Sequence, residues 1–96
     1  MENREKIILD LCQKAVKKWG KALQLVLAVE ECSELQKEVC KILRGDYSFQ
    51  RMEGLAREIA DVRLMTTQLE LMFSLTTKIE IETQVKLNRL ERLIKL

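Results

Sequence analysis

There is no histidine anywhere in this chain, and that one absence removes several kinds of chemistry. Ser-His-Asp and Cys-His nucleophile pairs are excluded. Imidazole-rich zinc or iron sites are argued against as well. Proline is also missing and glycine occurs three times, so the chain has few places to turn and reads as all-helical. No glycine-rich phosphate loop is present, so nucleotide binding would depend on a metal and on side chains. Cysteine is limited to Cys12, Cys32 and Cys40, an odd number without CxxC spacing. That pattern points away from a disulfide framework or a thiolate metal site and toward free thiols in a reducing cytosol. No apolar run is long enough to cross a bilayer, and the stretch from Met1 to Lys6 is not a signal peptide. A cytoplasmic location with no membrane partner is expected. The net charge of +2 is too small for a dedicated binder of nucleic acid polymers. At 96 residues, the chain makes a single domain, 1–96, with one modest core.

What the chain does have is charge, at 33% of its residues, and some of it lies where charge is costly. Taking about 100° per residue, Glu30, Glu34, Glu38 and Glu31 share about a quarter of one helix circumference. Leu25, Val29, Cys32, Leu35, Val39, Ile42 and Leu43 fill the adjoining arc, so the acids border the apolar face. Glu30/Glu34 and Glu34/Glu38 are like-charge pairs that each cost roughly 0.2–0.5 kcal/mol. A solvated face laced with i,i+3 pairs to Lys37 and Lys41 is the simple account. A second segment speaks against it. Glu58 falls inside the apolar arc formed by Leu55, Ile59, Val62, Met65, Leu69, Met72 and Phe73, and Asp61 lies on its edge. A carboxylate aimed into a core needs a partner, a proton or a metal. Packed helices have axes about 8–10 Å apart. Acids from both sides can then converge on one hard, oxygen-ligated ion such as Mg²⁺. An interhelical salt bridge from Glu58 is the competing account.

The pattern Glu30-Glu31-x-x-Glu34, then 23 residues, then Glu58-x-x-Asp61, resembles the EExxE…ExxD signature of the MazG-like, all-α nucleoside triphosphate pyrophosphohydrolases. Trp19-Gly20, Gln24, Glu34-Leu35, Leu43-Arg44-Gly45, Glu58-Ile59-Ala60-Asp61-Val62 and Lys86-Leu87-Asn88-Arg89-Leu90 extend the likeness over roughly residues 8 to 93. The resemblance implies a Mg²⁺ ion, with Mn²⁺ as an alternative, held by Glu31, Glu34, Glu58 and Asp61. Glu30 and Glu38 would then be outer groups or ligands of a further metal, and either could serve as the base. The implied reaction cleaves a nucleoside triphosphate between its α and β phosphates. Lys86 and Arg89, with Arg92 less firmly, would meet the triphosphate. Simple solvation of a basic helix end explains those three residues equally well.

Four helices are expected in order. The first runs from about Glu2 or Asn3 to Lys18 and is closed by Gly20. Trp19 either seals the corner after it or offers a flat surface for a nucleobase, to which Gln24 could hydrogen-bond. The second helix runs from about Lys21 to Leu43, and a short loop returns the third antiparallel to it, from about Arg51 or Met52 to Phe73. Thr77-x-x-Glu80 reads as a capping box, starting a fourth helix near Lys78. The expected architecture is an antiparallel four-helix bundle of the all-α pyrophosphatase type, assembled as a homodimer or homotetramer. The expected function is nucleotide-pool housekeeping by a Mg²⁺-dependent pyrophosphohydrolase acting on nucleoside triphosphates. Two alternatives stand beside it: a phosphoribosyl-ATP pyrophosphohydrolase-like enzyme, and a non-catalytic helical assembly protein.

Overall fold

The structure, a computed structural model, describes residues 2–96, apart from the side chain of Glu2. Among these residues the chain is all-helical. It comprises α1 (Glu2–Leu43), α2 (Phe49–Met72) and α3 (Thr76–Ile94). The first two expected helices form one run, α1, broken only at Gly20, where φ 80° and ψ 164° leave the helical region. None of the helices is long and apolar enough to cross a membrane.

The bend at Gly20 determines what α1 packs against. The Cys12 thiol lies 3.9 Å from the Leu64 carbonyl oxygen, and the Lys21 ammonium sits 5.7 Å from the centroid of the Phe73 ring. The first limb, residues 3–19, therefore follows α2 in the same direction. Beyond the bend the order reverses, because Glu31 meets Glu58 and Asp61 while Glu38 meets Arg51. The second limb is thus antiparallel to α2, as the short loop predicts. Gln24 spans the bend, its Nε2 donating to the Ala15 carbonyl at 3.4 Å.

Local chemistry sets the helix ends. At the end of α1, Gly45 N–H donates to Ile42 and Asp46 N–H to Lys41, a Schellman closure with Gly45 at φ 104°. Ser48 then caps α2 by accepting from Arg51 N–H at 3.2 Å, so the helix starts at Phe49 and not at Arg51. The same closure recurs after α2, with Ser74 at φ 52° in the position usually held by glycine. The expected capping box at Thr77 does not form. The turn after α2 is short enough that α3 begins at Thr76, which leaves Thr77 inside the helix, where its backbone cannot act as a cap. The Thr76 hydroxyl instead donates to Glu70 Oε2 at 2.8 Å.

The loop before α2 carries an acid-sensitive joint. Asp46 accepts from Ser48 N–H and from Arg51 Nε, both at 3.1 Å, and Arg51 also pairs with Glu38 on α1. The bonds to Ser48 and Arg51 hold the Asp46 carboxyl below its ordinary value. A depressed acid stabilises the fold above its unfolded value of 3.8, and that stabilisation is lost as pH falls through the folded value. Melting curves from about pH 5 to pH 2.5 should show this acid-limb loss in the wild type and a shallower one in Asp46→Asn. Equal slopes would remove Asp46 from the joint.

The core within one chain is small. Cys12, Ala28, Met65 and Met72 are its buried apolar side chains, whereas Val29 and Leu43, assigned to the apolar face by periodicity, are 68% and 79% exposed. No residue of α3 is buried, and α3 touches α2 but not α1. A compact monomer of 11.3 kDa exposes about 5,700 Å². This chain exposes 8000 Å², and its radius of gyration of 16.0 Å exceeds the roughly 12.5 Å of a compact domain this size.

Candidate metal centre

Two elements build the site. Glu31 projects from the second limb of α1, and Glu58 and Asp61 stand one turn apart on α2. One carboxylate oxygen from each lies within 4.8 Å of the others. Glu31 and Glu58 are half-buried and Asp61 is exposed. Among the described residues no lysine or arginine pairs with any of the three, so the interhelical salt bridge to Glu58 is not formed. Glu58 Oε2 is shielded from water and has no hydrogen-bond partner among the described residues.

Three carboxylates at this spacing repel one another. The cost is roughly 1–4 kcal/mol per pair, toward the lower end where water reaches them, as at Asp61. Glu31 registers the strain: its carboxyl is pushed above the usual range, first by burial and then by Asp61, Glu58 and Glu30. For an acid this sign means that the folded chain takes up a proton more readily than the unfolded one. Ionised Glu31 therefore weighs against the fold at neutral pH unless something positive sits beside it. An orphaned buried oxygen within a set of hard oxygen donors fits a divalent cation such as Mg²⁺.

The other candidate residues fall in different places. Glu34 is exposed and pairs with Lys37 at 3.2 Å, so it stands apart from the three converging acids. Glu30 is exposed next to Glu31 and has no cationic partner among the described residues. Glu38 is held by Arg51, a pairing that sequence periodicity missed because the arginine lies in the first turn of a different helix. Gln24 is only 1% exposed and its Oε1 is unpartnered. Trp19 is half exposed, with the Lys18 ammonium 5.5 Å from its ring centroid. Lys86 and Arg89 are exposed on α3, without ion-pair partners among the described residues. Because α3 does not touch α1, the chain does not join them to Glu31.

Sequence reasoning also missed a groove of about 780 Å³ between the first limb and α2. Trp19, Leu64, Gln68 and Ala60 line it, and Ala60 is the residue immediately before Asp61. Glu31, Glu58 and Asp61 are not among the residues that line it. No linear signal marked it, since it exists only because Gly20 folds the first limb back. No family model matches this chain, nor does any curated protein or solved structure.

Proposed function

We propose that this chain is a Mg²⁺-dependent nucleoside triphosphate pyrophosphohydrolase of the cytoplasm, acting as a homodimer or homotetramer. The observation that carries the reading is the convergence of carboxylate oxygens of Glu31, Glu58 and Asp61, of which Glu58 also has a water-shielded oxygen without a partner among the described residues. The MazG-like spacing of the same acids supplies the reaction class. Glu31, Glu58 and Asp61 would hold the ion, and Glu34 would join them on giving up its exposed pairing with Lys37. Bound there, Mg²⁺ (or Mn²⁺) neutralises phosphate charge and makes water more acidic. The chain's own residues supply the rest. Glu30, next to Glu31 and without a cationic partner among the described residues, would accept the proton of the attacking water. Glu38 is less suited to that task while Arg51 holds it. The groove receives the nucleoside, with Trp19 as the stacking surface, and Lys86 and Arg89, which the chain does not bring to its own acids, would reach the triphosphate from the α3 of a second copy.

The exposed surface supports an assembly. Each chain shows about 2,300 Å² more than a compact monomer of its mass. Two such excesses pooled in a dimer fall in the range of obligate interfaces. A fourth helical layer would then come from packing α3 and the open faces of α1 between copies, completing the bundle. A purely assembling helical protein would present the same surface. In that rival the acids would meet a basic partner, whereas in the hydrolase they would meet an ion.

A pyrophosphate-release screen across ribo- and deoxynucleoside triphosphates tests the reading. Release from at least one substrate is expected in millimolar Mg²⁺ and not in chelator. Silence across canonical and modified nucleotides, together with no effect of Mg²⁺ on melting, would leave the assembly module in its place.

A further inference from the structure

The groove holds an amide to which the proposed chemistry assigns no role. Gln68 lies on α2 seven positions beyond Asp61, about 10 Å along the helix, and lines the groove together with Trp19. Cys12 lines the groove as well; burial pushes its thiol up, and the neighbouring Gln68 amide partly counters that rise. The Gln68 Oε1 is shielded from water and has no hydrogen-bond partner among the described residues. Proteins rarely leave a shielded carbonyl unpaired without a reason. The terminal torsion of a glutamine is soft, so a small rotation turns this oxygen to the groove wall.

We infer that Gln68 reads the base of the nucleotide, accepting a hydrogen bond from the exocyclic amine of adenine or cytosine while the ring lies against Trp19. The inference rests on the pyrophosphohydrolase reading and adds a base preference to it. The groove's charge suits such an occupant: Arg4, Lys14, Lys18 and Arg63 rim it, and no acid lines it among the described residues. Lys14 is shared with Asp10 at 3.0 Å, whereas Lys18 and Arg63 have no acidic partner among the described residues. Asp61 follows Ala60 in the chain, and Gln68 is displaced from both along α2. A nucleoside monophosphate spans that separation. Gln24, the amide expected to contact the base, does not line the groove. A base carrying a keto oxygen in place of the amine sets two carbonyl oxygens face to face and leaves Gln68 unsatisfied. Sites built around such a bond discriminate strongly.

Trp19 is the only tryptophan, so its fluorescence reports groove occupancy without relying on turnover. The full chain in millimolar Mg²⁺ is titrated with two matched pairs, adenosine against inosine monophosphate and cytidine against uridine monophosphate. The amino member of each pair should quench at concentrations about tenfold lower or more. Gln68→Met, close to isosteric, should bring each pair to within about twofold, with circular dichroism confirming an unchanged helix content. Equal binding within the wild-type pairs, no quenching by any of the four, or a preference that survives in folded Gln68→Met overturns the inference. Pyrophosphate release from the matching triphosphates separates the two readings. Selective binding without release defeats the hydrolase and leaves the base reading standing, whereas release without selectivity does the reverse.

Discussion

Glu58→Gln should abolish pyrophosphate release, by about a hundredfold or more, and should erase the stabilisation that Mg²⁺ gives the wild type. The size of the second effect follows from linkage. An ion present at about 10–100 times its dissociation constant stabilises the fold by roughly 1.4–2.7 kcal/mol. For a domain of this length that corresponds to a melting shift of roughly 5–20 °C. The metal-free comparison is the more telling one. Glu58 is one of three crowded carboxylates and has no cationic partner among the described residues. Replacing it with a neutral amide relieves repulsion, so without Mg²⁺ the variant should melt at or above the wild type. A structural salt bridge predicts the opposite, since breaking one leaves an uncompensated charge. Melting curves of both proteins with chelator and with Mg²⁺ in excess, at about 10 mM, decide the matter. A variant that melts lower in chelator and still responds to Mg²⁺ removes the metal from this site.

Gly20→Ala should lower the melting temperature and expose Cys12. The backbone at Gly20, φ 80° and ψ 164°, lies in a region that is essentially glycine-only. A Cβ placed there meets nothing within 4 Å, so the cost is that of the backbone alone. It amounts to about 1–3 kcal/mol, or roughly 4–20 °C. Alanine is also the best helix former, and it favours an unbent α1. Straightening α1 would lift the first limb away from α2 and open both the small core around Cys12 and the groove. Cys32 and Cys40 are exposed while Cys12 is buried, so thiol labelling followed by peptide mass analysis resolves the three sites. The Cys12 peptide should be protected in the wild type and labelled in Gly20→Ala. An unchanged melting curve with Cys12 still protected would mean that the bend is not what seats the first limb.

Much of the candidate site was legible because helical periodicity reports angle about an axis. It put Glu58 on an apolar arc and Glu31 at the border of another, and the short loop after Gly45 predicted the antiparallel return that brings them together. The same rule treated Glu34 as equivalent to Glu31. Their difference depends on which part of the stripe faces α2, and that follows from how the helices roll against each other. Glu38 was similarly open to a catalytic reading until Arg51 was found against it. That pairing joins two helices through the loop's geometry and a long side chain's reach, neither of which has a period. Thr77-x-x-Glu80 had the letters of a capping box but not the backbone, because the length of the preceding turn decided where α3 began.

By itself, the amino-acid sequence determined an all-helical chain without imidazole chemistry, and it marked the acids that border apolar faces. Tertiary structure decided which of those acids meet, that Gly20 folds one limb back to form a groove, and that α3 finds no cover within its own chain. The physical reason is that a residue's spacing sets its direction from its own helix, whereas burial and ligation depend on what lies opposite, which only packing supplies.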